Sequence, residues 1–262
     1  MIRALYTAAT GMNAQELNVS VISNNIANVN SAGFKKSRAE FQDLMYQNLR
    51  LVGTLSPNGD QVPTGPQLGL GTKTASVSKI FIQGDFIQTQ KDLDLAISGK
   101  GFLQITQPDG TIGYTRAGSM KLDNTGQMVT ADGLKLEPAI TVPPDALNVS
   151  IDTQGSVSVL QPGATAPTVL GTIQIATFQN ESGLQALGAN MFKETDASGT
   201  ATVGGPGTDD RGQMQQGFLE MSNVSVVEEM VNLISAQRAY ETNSRTVQTS
   251  DEMLQTANNM KR

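Results

Sequence analysis

Apolar side chains recur at alternating three- and four-residue steps through the first thirty positions, along Leu5, Ala8, Met12, Gln15, Val19, Ile22, Ile26 and Val29. That spacing predicts a helix from about Ile2 to Val29 carrying a coiled-coil seam, which only Gln15 interrupts. Between Ala4 and Gly33 the sole charged residue is Glu16. A helix with one face in water normally charges that face, so this one is expected to touch protein on more than one side. Asn28, Asn30, Ser31 and Gly33 form helices poorly, and Gly33 is suited to a left-handed closing position.

A second long helix is predicted at the other end, opened by a capping box of Ser225 and Glu228. Val226, Leu233, Tyr240, Val247 and Leu254 repeat every seven residues, with Met230, Gln237, Ser244 and Asp251 between them. This seam is apolar in its first two turns and increasingly polar beyond. At the helical rise the two elements reach roughly 40 and 50 Å, enough to lie alongside each other as a rod.

From about Thr72 to Phe218 the period changes to two. Short alternating runs, among them Val77 to Ile82, Leu93 to Ile97, Phe102 to Thr106, Val157 to Leu160 and Ile173 to Phe178, predict an antiparallel β domain, a sandwich or open barrel. Asp109-Gly110, Asp123-Asn124-Thr125-Gly126 and Asp132-Gly133 supply its turns. Tyr46 to Gly71 differs from both regimes. Leu51, Val52 and Leu55 precede Pro57-Asn58-Gly59-Asp60, and Val62, Pro63, Gly65 and Pro66 follow, which predicts a protruding arm with a hairpin at Asn58-Gly59. Thr195 to Gly212, with Gly204-Gly205-Pro206-Gly207, reads as a flexible connector. The class is therefore α+β, with an amino-terminal coiled-coil helix at 1–33, a linker and arm at 34–71, a β domain at 72–218 and a carboxyl-terminal coiled-coil helix at 219–262.

Composition narrows the chemistry. The 262 residues contain no Cys, His or Trp, which removes thiol chemistry, disulfides, imidazole ligands and histidine-dependent triads. The net charge of -6, with no more than two basic residues in succession, leaves no seat for a phosphate backbone. The first residues lack the apolar block of a cleavable signal, and no run approaches a transmembrane span. Asp92 with Asp94, and Asp209-Asp210-Arg211, are carboxylate groupings to weigh as a cation site or an acid–base pair. The alternating strand predicted there puts Asp92 and Asp94 on one solvent face, and the second group lies in the connector, so both read as surface charge. Gly69-Leu70-Gly71 and Gly99-Lys100-Gly101 lack the strand and helix context of phosphate loops. No cofactor, metal or catalytic residue is expected.

Apolar heptads usually form the core of an ordinary helical hairpin. Here the two helices occupy opposite chain ends, the first is almost uncharged, and its asparagines lower its helicity. One such seam does not offset the backbone entropy of ordering its residues, so both ends are expected to gain order when neighbouring copies add contact faces.

The segments NNIANVNSAGFKKSRAEFQDL (Asn24 to Leu44) and LEMSNVSVVEEMVNLISAQRAYETNS (Leu219 to Ser244) resemble the terminal signatures of the bacterial flagellar rod and hook family. LDLAISGKGFLQI (Leu93 to Ile105) and YTRAGSMKLDNTGQMVTADG (Tyr114 to Gly133) resemble its β-domain signature. Tyr46 to Gly71 falls where the distal-rod branch carries a segment that the hook-type linker lacks. The resemblance implies a non-enzymatic subunit that polymerises helically into a rigid tube, with helices around an export channel and the β domain outside. It implies as partners further copies of the chain, proximal-rod and hook subunits, the surrounding ring proteins and the flagellar type III export apparatus. It also implies a place in the periplasm-spanning basal body, reached without a cleavable signal. Assembly would rest on Leu5, Met12, Val19, Ile22, Ile26, Val29, Val226, Met230, Leu233, Tyr240, Val247 and Leu254 in the helices, and on Leu51, Val52, Leu55, Pro57, Asn58, Gly59, Val62 and Pro63 in the arm. The alternatives are a hook or proximal-rod subunit, a monomeric β-domain binding module, or an enzyme using Asp92, Asp94, Asp209 or Asp210.

Overall fold

The computed structural model describes residues 2–49, 65–163 and 166–260. The chain is α+β: an amino-terminal helix α1 (Ile2–Ala27), a central β-rich region and a carboxyl-terminal helix α2 (Val226–Asn259). Helix α1 stops two residues short of Val29, because Asn28 opens a turn in which Ser31 donates to both the carbonyl and the side chain of Asn28. Gly33 follows at φ 70°. A Cβ there would lie 2.5 Å from the backbone nitrogen of Ala117, so only glycine fits. Helix α2 begins at the predicted place, but not through the predicted box. Ser225 is extended at the N-cap and its hydroxyl makes no capping bond. The first turn instead has Glu228 and Glu229 facing the positive end of the helix dipole.

Two compact units share the chain. One gathers Met1–Ile26, Ser37–Ser78 and Ser225–Arg262; the other gathers Ala27–Lys36 and Lys79–Val224. Thr72–Lys79 falls largely with the helices because it pairs with Ser37–Asp43. Tyr46–Asn48 continues that ribbon, pairing antiparallel with Gln67–Gly69. The ribbon leads into the predicted arm, whose residues Leu51, Val52, Leu55, Pro57, Asn58, Gly59, Val62 and Pro63 lie outside the described residues.

In the second unit the largest sheet runs, in spatial order, through Gln185–Gly188, Met191–Lys193, Ile112–Thr115, Phe102–Thr106, Lys135–Glu137, Met128–Val129 and Lys121–Leu122, with Ile175–Thr177 also paired to Phe102–Thr106 and Thr202–Gly204 paired to Ile175–Thr177. Asn148–Ile151, Ser156–Leu160 and Thr168–Thr172 form a separate antiparallel meander. Leu95–Ser98 and Phe102–Thr106 are buried on both faces, which explains their unbroken apolar runs. The core divides into an aliphatic cluster around Leu103, Ile105, Leu136 and Ile175 and an aromatic one. In the latter, Phe81, Phe102, Phe178, Phe192 and Tyr114 meet edge to face at 4.8–5.9 Å. The three predicted turns form, with Gly110, Gly126 and Gly133 at positive φ.

Two further expectations change. Asp92 and Asp94 do not share a solvent face: Asp92 lies exposed in a turn, whereas Asp94 is buried and bridges to Ser119. The stretch 195–212 is not simply a connector, since Thr202–Gly204 is an edge strand and Arg211 packs its guanidinium over Gly204.

Candidate assembly surfaces

The first unit pairs α1 with α2. Asn25 contacts Glu229, and a Cβ on Gly11 would lie 2.8 Å from Asn243, so fourteen residues along α1 match fourteen residues back along α2. The helices run antiparallel. Buried residues of α1 are Ala8, Ala14, Ile22 and Asn25; those of α2 are Glu229, Ala236 and Ser250. Small and polar side chains thus hold the closest approach, and Ile22 is the one large apolar residue fully buried in either helix.

Of the predicted seam, Leu5, Met12, Val19, Ile26, Leu233, Val247 and Leu254 are half-buried. Val226 and Tyr240 remain 40% and 43% exposed, and Met230 52%. Val29 lies past the end of α1 and is half-buried. The inward row on α2 is Glu229, Ala236, Asn243 and Ser250, one position before the predicted Met230, Gln237, Ser244 and Asp251. Hydrophobicity selected Met230, whereas close helix approach selects small residues, and the heptad spacing is the same for both rows.

Asn25 was legible only as a weak helix former. Its side chain accepts from the Ser37 nitrogen at 2.9 Å, donates to the Ser37 carbonyl at 2.9 Å and donates to Glu229 at 3.1 Å. One buried amide therefore ties the start of the ribbon to both helices. Farther along, the ribbon meets α1 again where the Thr72 nitrogen donates to Thr10 Oγ1 at 3.4 Å.

The second unit contains a buried charge cluster that sequence reasoning did not identify. Lys35 Nζ lies 2.6 Å from Glu220 Oε1, and Arg116 Nη1 lies 3.2 Å from Glu220 Oε2, with all three side chains at most 2% exposed. Lys35 also donates to the Ile82 carbonyl, and Arg116 to the carbonyls of Ile97 and Gly99. The Glu220 carbonyl accepts from Gly33, and its carboxylate accepts from Gly84. Burial pulls the Lys35 ammonium below its ordinary range more strongly than Glu220 raises it, and Arg116 is lowered for the same reason. Asn223 adds to the lacing by accepting from the Lys36 nitrogen and donating to the carbonyls of Ile80 and Ile82. Segments 33–36, 80–84 and 220–223 are thereby fastened together. The available signal was charge in apolar surroundings, Lys35 after Gly33-Phe34 and Arg116 beside Ala117-Gly118.

Three families match the chain: "Flagella basal body rod protein" at residues 5–35, "Flagellar hook protein FlgE/F/G D1 domain" at 96–159, and "Flagellar basal body rod FlgEFG protein C-terminal" at 215–260. Among curated relatives, the flagellar basal-body rod protein FlgG of Borreliella burgdorferi is 50% identical over 264 residues, covering 100% of both chains. That of Caulobacter vibrioides is 49% identical, covering 99% of this chain and 100% of its own. The chain belongs to the FlgG family of flagellar basal-body rod proteins. The FlgG protein of Buchnera aphidicola from Schizaphis graminum is 48% identical over 97% of this chain. Lys35 falls in the first matched region, Arg116 in the second and Glu220 in the third, so one buried cluster joins all three regions that define the family.

Proposed function

We propose that this structural subunit of the flagellar basal-body distal rod polymerises helically into a rigid hollow drive shaft, which transmits torque to the hook and encloses the export channel. The observation that carries this reading is the scarcity of burial in the helices: four residues of 26 in α1 and three of 34 in α2. Long helices draw most of their stability from a packed face, and here most of each surface is left for neighbours. The terminal helices would form an inner coiled-coil layer using Leu5, Met12, Val19, Ile22, Ile26, Leu233, Val247 and Leu254. The exposed Val226, Met230 and Tyr240 would face adjacent copies, and the β domain, a sandwich or open barrel, would lie outside. Such contacts join different faces and propagate rather than close.

The role requires no catalysis and no cofactor. Its partners would be proximal-rod and hook subunits, the ring proteins around the rod, and the type III export apparatus, which would deliver the chain to the periplasm. No helix among the described residues is long and apolar enough to cross a membrane.

The residues flanking the arm segment form a ribbon exposed along Tyr46–Asn48 and Gln67–Gly69. A two-stranded ribbon has little stability alone and gains it by packing on another surface. In this reading it bridges to a neighbour and stiffens the shaft. Deleting residues 51–65 is expected to leave subunit folding and export intact while the polymer bends under electron microscopy. A straight polymer from the deleted chain would reject the arm as the stiffening element.

A further inference from the structure

Segment 212–223 comes last in the β-rich unit and is bonded to several earlier parts of it. Gln213–Gln216 pairs antiparallel with Leu95–Ser98, and Phe218–Glu220 with Phe86–Gln88. Among the described residues neither partner strand belongs to any other ladder. Backbone bonds continue the pairing: Gly212 donates to the Lys100 carbonyl, Met214 to Thr153, Gly217 to Asp94 and Met221 to Asp85, at 2.8–3.0 Å. Gln216 reaches the separate meander, accepting from the Ile151 nitrogen at 3.0 Å and donating to the Val149 carbonyl at 2.7 Å. Met214, 1% exposed, fills part of the aliphatic cluster with Leu95 and Ile97. Glu220 and Asn223 fasten the segment to 33–36 and 80–84.

A core assembled without 212–223 would have three defects. Leu95–Ser98, buried on both faces, would lose its ladder partner, and backbone groups unpaired away from water are costly. A hole would stand in place of Met214. Lys35 and Arg116 would be buried without the carboxylate to which both are ion-paired, and stranding a buried charge is among the largest single penalties a fold can carry. No short stretch of chain holds all of these partners, since the Lys35–Glu220 contact alone spans 185 residues.

We propose that 212–223 is a closing strap: the β-rich unit folds in one step that waits for this segment, and no folded unit exists before it docks. The strap runs directly into α2 at Val226, so the chain that completes the core is also the chain that begins the second helix. The folding order stands on the contacts alone. Its use rests on the assembly reading above: a subunit that stays open until its carboxyl-terminal stretch is present offers no half-made unit to a growing polymer.

The test is refolding of the full-length chain from denaturant, at a concentration too low for polymer, followed by pulsed amide hydrogen exchange. The amides of Phe102–Thr106 and those of Gln213–Gln216 are expected to gain protection with one rate constant. Glu220→Ala is expected to slow refolding by at least about tenfold while the unfolding rate stays within about twofold, the signature of a contact already made at the barrier. A contact that merely stabilises the finished fold moves the unfolding rate instead. Glu220→Gln, which keeps an acceptor for the Gly84 nitrogen, is read in the same way if the alanine variant does not fold, and the labelling of the unaltered chain needs no variant. Protection of Phe102–Thr106 ahead of Gln213–Gln216, or substitutions that speed unfolding and leave refolding unchanged, would overturn the strap. Polymer plays no part in the measurement, so that result would leave the assembly reading standing.

Discussion

Replacing Glu220 with alanine is expected to lower the stability of the β-rich unit by about 3–5 kcal/mol, the range for removing one partner of a buried ion pair. The loss does not measure the pair's own worth. Burial already holds the Lys35 and Arg116 cations below their ordinary pKa, so the cluster carries a desolvation cost of which Glu220 offsets the largest part. Without the carboxylate, two cations remain buried against backbone carbonyls, and Gly84 loses a hydrogen-bond acceptor. The same argument fixes a second result. Adding Lys35→Met to Glu220→Ala should recover part of the loss, because it removes one of the stranded charges, and the two changes should therefore be non-additive. Denaturant midpoints of the single and double variants read both effects. An unchanged midpoint for Glu220→Ala would mean that the cluster does not fasten segments 33–36, 80–84 and 220–223.

The second large effect concerns assembly. Val19→Asp combined with Ile26→Asp is expected to abolish polymerisation while the unfolding transition of the β-rich unit stays where it was. Both residues are half-buried on α1, so the subunit uses only part of each side chain. Completing their burial against neighbours is worth up to about 1.5–3 kcal/mol per residue, and an aspartate reverses that gain, so the pair weakens association by on the order of 100-fold or more. The β-rich unit has separate aliphatic and aromatic clusters that include neither residue. If its transition disappears with the two substitutions, the chain has one intramolecular core rather than terminal helices reserved for assembly.

The sequence was most informative where one local rule decided the outcome. Period-two runs located Phe102–Thr106 to the residue, and Asp-Gly pairs placed turns at Gly110 and Gly133, because glycine alone takes positive φ there without strain. The seven-residue repeat found α2 but not its inward row, since Ala236 and Ser250 reach the contact by being small rather than apolar. Strands such as Gln185–Gly188 and Thr202–Gly204 escaped because edge strands exposed to water need no apolar alternation, and their pairing is set by distant partners. The Lys35–Glu220–Arg116 cluster was hidden for a related reason. Its members are 81 and 104 residues apart in sequence order, and a charged residue displays its burial only once the chain has brought its partner.

The central claim is that α1 and α2 complete their packing only against further copies of the chain. Amide hydrogen exchange, measured residue by residue on dilute subunit and on polymer of the same protein, tests it most directly. The expected result is rapid exchange along both helices in the dilute subunit, slow exchange across Phe102–Thr106 and Ile175–Thr177 in both samples, and strong protection of both helices in the polymer. Helices as protected in the dilute subunit as those central strands would contradict the claim.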